Sequence, residues 1–215
     1  GRTYRRGCDS AALLFRHESD SNLVADNNLR TSGDGFFLSG QRGQVGPSIG
    51  NLVIRNDATG AFHNAFESTF SSWNVFLENR ADSSDYGFWL GYSRGNVVRG
   101  NTIIGSSSTG IAIEHGGEND IGGNTIISAL RGIHLFTRAV GDDPSTDYRI
   151  DDNTIAKVGQ GIVLEHTTKV KLRGNLLDGV EDGVVVDSAG ADAIVAGNVF
   201  LSARRWLIFA VSLDA

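Results

Sequence analysis

One six-residue pattern, N-x-φ-x-x-N with φ apolar, recurs along most of the chain. It reads NLVADN at 22–27, NLVIRN at 51–56, NVFLEN at 74–79, NVVRGN at 96–101 and NDIGGN at 119–124. It continues more loosely as YRIDDN at 148–153, VKLRGN at 170–175 and AIVAGN at 193–198. The closing residues Asn27, Asn56, Asn79, Asn101, Asn124, Asn153, Asn175 and Asn198 stand 29, 23, 22, 23, 29, 22 and 23 apart. Three places before each sits Val24, Val53, Phe76, Val98, Ile121, Ile150, Leu172 or Val195. A pattern held in register at that interval means a structural unit repeated along an axis.

A second block lies upstream of each unit. AFESTFSSWN, GFWLGYSRGN, GIAIEHGGEN and GIVLEHTTKV align without a gap from Ala65, Gly87, Gly110 and Gly161, and GFFLSG, GIHLFT and GVVVDS begin alike at Gly35, Gly132 and Gly183. A third apolar patch follows the asparagine, as in NTIIG, NTIIS, NTIAK and NVFLS. β-Branched residues alternate with small or polar ones, and no 3.6-residue period persists. Three short strands per unit of about 22 residues predict a right-handed parallel β-helix of about eight coils. One all-β domain spans 1–215, complete or as part of a larger or processed protein. The asparagines are expected to take left-handed corners and to bond one another along the axis, with the glycines before the strands as the other corners.

These motifs resemble those of right-handed parallel β-helix repeat proteins, a group that includes pectate-lyase-like and other carbohydrate-active enzymes. The resemblance covers Asn22 to Phe200 and implies the fold and a polysaccharide or oligosaccharide partner. The YGFDPH-type motif of alginate epimerases is absent, its nearest string being Tyr86-Gly87-Phe88-Trp89, and so is the paired-aspartate and GHG pattern of polygalacturonases. AFESTFS, YGFWLGYS and GIAIEHG resemble bacterial β-helix proteins more closely.

Bulk properties narrow the partners. A net charge of −6, with Arg2, Arg5, Arg6, Arg204 and Arg205 at the ends rather than in a stripe, argues against nucleic acid. No apolar run approaches the ~18 residues of a membrane helix. The single Cys8 excludes an internal disulfide framework and reads as a small buried residue. A chain without methionine reads as a processed or trimmed product, and the expected location is secreted or periplasmic.

Strand alternation places Phe88 and Leu90, Ile111 and Ile113, Ile133 and Leu135, and Ile162 and Leu164 in the core. Phe37, Glu67, Trp89, Ala112, His134, Val163 and Val185 then form one column facing solvent; Glu114, Phe136 and Glu165 lie in the next, with Tyr92, His115 and His166 at the turn beyond. Seven extra residues in each 29-residue unit give the loops 40–50 and 137–147, which bracket this patch and suggest a cleft. The expected catalytic set is Glu67, Glu114, His115 and His134; the expected substrate contacts are Asp34, Phe37, Trp89, Tyr92 and Glu165. His17 and His63 carry no comparable argument.

Three chemistries fit. Glu67 and Glu114 at ~8–11 Å approach the spacing of inverting glycoside hydrolysis, ~6.5–9.5 Å. A lyase or epimerase needs a base, His115 or His134, with arginine or calcium neutralising a uronate. A transition-metal site from Glu114, His115 and His134 ranks last, because neighbours on a strand point apart. No resident metal or other cofactor is assigned beyond that optional calcium. A non-catalytic carbohydrate-binding or structural module is the alternative to an enzyme.

Overall fold

The computed structural model describes residues 10–41, 43, 46–138, 145–187 and 192–210. Among them, three wholly parallel sheets hold nine, eight and five strands, and no helix occurs. The first sheet stacks Leu13–Arg16, Phe36–Ser39, Asn64–Thr69, Tyr86–Gly91, Thr109–Glu114, Arg131–Phe136, Gln160–Glu165, Asp182–Asp187 and Arg205–Ala210. The apolar residue of each N-x-φ-x-x-N centres a three-residue stretch paired in the second sheet, as in Val98↔Ile121. The patch after the asparagine makes the third sheet, from Thr102–Ile104 to Val199–Leu201. In earlier coils only isolated bridges, such as Asn28↔Asp57, stand in its place.

A coil cannot bury its inner face alone, so the core is continuous along the axis. All eight inward residues named above are at most 1% exposed. Volume is exchanged between sheets within a coil. Where Phe66, Phe76 and Phe88 fill the first coils, the third-sheet positions are Ala58 and Ala81; where the first sheet turns to isoleucine, they become Ile103, Ile126 and Ile155. Phe66 stacks on Phe88 at 4.9 Å, and Phe76 meets both edge-on.

The closing asparagines form an unbroken ladder. Each Nδ2 from Asn27 to Asn175 donates to Oδ1 of the asparagine one coil on, at 2.8–3.1 Å. A second ladder begins at Asn22 and ends at Asn119, because the next residue in that column is Tyr148. Burial pushes the Tyr148 hydroxyl well above its ordinary pKa, so it stays neutral, bonded to Ser145 at 2.7 Å and to Asn119.

Two expectations about corners are corrected. The left-handed residue is not the asparagine but the one before it: Asp26, Arg55, Glu78, Gly100, Gly123, Asp152, Gly174 and Gly197 have φ between 52° and 66°. The asparagine is thereby free to aim its amide along the axis. The strand-leading glycines are not corners either. A Cβ on Gly87, Gly110, Gly132 or Gly161 would come within 2.4–2.7 Å of a carbonyl oxygen in the next coil, so these positions lack a side chain because the coils approach there.

Candidate functional site

The register confirms that Phe37, Glu67, Trp89, Ala112, His134 and Val163 form one outward column. It is not a column in solvent: Phe37, Glu67, Ala112 and Val163 are 8%, 6%, 1% and 2% exposed. The cover comes from aromatic rings on neighbouring strands. Trp89 and Phe136 flank the strand of Ala112 and meet at 6.0 Å. Tyr86 packs edge-on against Trp89 at 4.9 Å and against His63 at 6.3 Å, while His134 stacks on Phe136 at 4.5 Å. The small Ala112 is what lets the rings close over this face.

At one end of the aromatic strip, Asp34, His63 and Glu67 converge, each offering a donor atom within 4.8 Å of the others'. Asp34 precedes the strand Phe36–Ser39; His63 precedes Asn64–Thr69, which holds Glu67. Asp34 Oδ1 accepts from the Asn64 backbone N–H at 3.0 Å and lies 3.2 Å from His63 Nδ1. Asn64 Nδ2 donates to Glu67 Oε2 at 2.6 Å and lies 3.1 Å from the same His63 nitrogen. Burial pushes the Glu67 carboxyl up to about 7; the Asn64 hydrogen bond and His63 oppose the rise, and Asp34 adds to it. Asp34, by its hydrogen bond, raises His63 above its ordinary value against the opposing effect of burial. Asp34 Oδ2 and Asn64 Oδ1 are buried without a partner.

His63 escaped the sequence reading because it lies outside the aligned strands. The signal was present: Asp34 and Asn64 occupy the same column, so the residue before Asn64 lies beside the Asp34 carboxyl.

The other expected residues lie away from this cluster and are divided among separate contacts. His115 takes a left-handed φ of 51°, and this bend turns it to the side of Glu114 that alternation alone would deny it. Its Nε2 lies 4.0 Å from Glu114 Oε1, which also faces Arg138 Nε at 3.3 Å. His115 Nε2 accepts the Arg138 backbone N–H at 3.1 Å, an arrangement that occupies its lone pair. Tyr92 is sandwiched between Phe70 at 4.6 Å and His115 at 4.7 Å, so neither ring face is open to a sugar. His134 Nε2 sits 3.1 Å from Glu165 Oε2, off the direction of a good hydrogen bond, and this contact lowers the Glu165 pKa. His166 instead pairs with Asp187 at 3.1 Å. Glu114, His115 and His134 therefore do not converge on one point.

Glu67 and Glu114 are also apart. Glu67 registers with Trp89 and Trp89 with Ala112, and Glu114 lies two residues beyond. Two strand spacings and two residues separate their backbones by about 12 Å, with Trp89 between. Residues 42, 44–45 and 139–144 of the two long loops, and Cys8 with the N-terminal arginines, lie outside the described residues. A groove of about 590 Å³ lies instead on the second sheet, lined by residues including Asp120, Asp147, Arg149, Lys169, Lys171 and Asp192. Two of its ion pairs are Arg149–Asp120 and Lys169–Asp147, both at 3.9 Å. It carries no comparable convergence of donors.

Three parallel sheets stacked coil on coil, with side chains displayed on an outer sheet face, define a β-solenoid. The chain belongs to the right handed beta helix region family, whose profile matches residues 15–200. No curated protein matches the chain. A solved structure to which it is similar is HetL, a pentapeptide repeat protein involved in heterocyst differentiation regulation from the cyanobacterium Nostoc sp. strain PCC 7120. The two share 12% identity over 90% of this chain and 87% of that one, with a TM-score of 0.18, and at that score the likeness carries no argument.

Proposed function

We propose that the protein is a carbohydrate-active β-helix that cleaves a polysaccharide or oligosaccharide on the outer face of its first sheet. The observation that carries this reading is the Asp34–His63–Glu67 cluster at the end of the Tyr86–Trp89–Phe136 aromatic strip. Aromatic faces and edges take up the apolar faces of sugar rings, while carboxyl and imidazole groups move protons to and from sugar oxygens or carbon acids. Strand Arg131–Phe136 is three strands from Asn64–Thr69. Strip and cluster together are therefore about 14 Å long, a length matched by a short run of sugar units. In this reading Glu67 and the half-exposed His63 act on substrate, and the fully buried Asp34 positions His63. Polysaccharide elimination needs a base and a proton donor, and glycoside hydrolysis canonically two carboxyl groups, one of them a proton donor.

Release of new reducing ends from a panel of neutral and uronic polysaccharides tests this. Ultraviolet absorbance of an unsaturated product separates a lyase from a hydrolase. Trp89→Ala is expected to raise KM by about tenfold with kcat little changed, as for a residue that binds substrate without reacting. Binding that depends on Trp89, without turnover of any member of the panel, would make this a binding module and refute the catalytic reading. Neither binding nor turnover would leave a structural solenoid.

A further inference from the structure

We propose that Asp34, His63 and Glu67 bind a single divalent transition-metal ion. One imidazole and two carboxyls suit zinc and its neighbours, and three protein ligands with an open position are the pattern of catalytic rather than structural zinc. In a tetrahedral site with ~2.0–2.1 Å bonds the donors stand ~3.3 Å apart. Asp34 Oδ1 and His63 Nδ1 already stand at 3.2 Å. The set fits within 4.8 Å, so small side-chain rotations bring Glu67 in.

The independent observation is what the cluster leaves unmade. Asp34 is 0% exposed, yet its Oδ2 has no partner, and neither has Oδ1 of the 1% exposed Asn64. Buried oxygens left unpaired in this way cost free energy that a bound cation would recover. His63 Nδ1 is also over-subscribed, with Asp34 Oδ1 at 3.2 Å and Asn64 Nδ2 at 3.1 Å. A ring nitrogen donates or accepts but not both, so one of those contacts is always unmet. A cation resolves the conflict: it takes the Nδ1 lone pair and draws on the Asp34 carboxylate, whose Oδ2 otherwise has no partner. Calcium, which prefers oxygen donors throughout, is a poor match for a site with imidazole at its centre.

Ion binding does not rest on the glycan reading; only its use would, through the open position as a place for a substrate oxygen. The test is calorimetric titration of the EDTA-stripped full chain with zinc chloride, alongside visible absorption on adding cobalt(II). The expected result is one saturable equivalent, tetrahedral-type cobalt bands, and no competition from millimolar calcium. Affinity should fall by about 100-fold or more in both His63→Ala and Glu67→Gln, with circular dichroism unchanged, while Glu114→Gln keeps it. His63 is partly exposed and its substitution leaves the core intact. No saturable binding, unchanged affinity in His63→Ala and Glu67→Gln, or displacement by calcium overturns the proposal. Because the readout is binding, its failure leaves the cleavage assay above to be judged separately.

Discussion

Replacing Asn101 by alanine is expected to destabilise the fold by about 4 kcal/mol, read as a drop in the urea midpoint with little change in slope. The Asn101 amide makes four buried hydrogen bonds. Its Oδ1 accepts from the Asn79 backbone N–H at 2.8 Å and from Asn79 Nδ2 at 3.1 Å; its Nδ2 donates to Phe76 O and to Asn124 Oδ1, each at 3.0 Å. Alanine leaves the Asn79 N–H unpaired in a dry interior, at about 1–3 kcal/mol, and removes three further hydrogen bonds worth about 0.5–1.5 kcal/mol each. The ladder's first rung supplies the control. Asn27 is exposed, so water replaces what its alanine variant loses, and the cost there should be about 1 kcal/mol or less. Equal losses at the two positions would show that the buried ladder is not what specifies the stacking.

Glu67→Gln is expected to act in the opposite direction, stabilising the metal-free protein above neutrality. The Glu67 carboxyl goes from a model value of 4.5 to about 7 on folding, chiefly because burial disfavours its charge. Between those values the folded state holds a proton that the unfolded state has lost, so stability falls as pH rises from 4.5 to 7 and stays low above that. At ~1.4 kcal/mol per pH unit the full penalty is about 3 kcal/mol. Glutamine cannot ionise and still accepts the Asn64 amide. In EDTA the variant should therefore match wild type near pH 4.5 and exceed it by about 2–3 kcal/mol at pH 8. His63, whose pKa the Asp34 contact raises, favours the folded protein below 6.5 and loses that contribution as pH climbs, so the cluster as a whole is least stable in alkali. A wild type whose stability is flat across this window would mean that Glu67 is solvated.

Which parts of this were legible from residues follows from what repeats. Spacing alone gave the stacking, because every coil must bury the same inner positions; Val98, Ile121 and Ile150 are each 0% exposed where the pattern put them. Corner chemistry was misread by one residue. A left-handed bend at Glu78 or Asp152 has no signature in residue type, whereas the neighbouring asparagine recurs in every coil. The outer face was the hardest to read. Alternation assigns a side chain to a face but cannot tell whether rings on the flanking strands will close over it, as Trp89 and Phe136 close over Ala112. Of the expected site, Asp34 and Glu67 do come together, but around His63, whose place before the strand kept it out of the aligned columns. Glu114 and His115 were expected to point apart; the left-handed φ of His115 brings them side by side, yet facing Arg138 rather than Glu67.

Reducing-end release across the polysaccharide panel, compared among wild type, Glu67→Gln and Glu114→Gln, tests most directly the claim that the site is the cluster around Glu67. The expected result is a loss of about 100-fold or more for Glu67→Gln, on the scale of a proton-transfer group removed, with Glu114→Gln retaining most of its turnover. Full activity in Glu67→Gln and collapse in Glu114→Gln would contradict it and move the chemistry to the Glu114–His115–Arg138 group.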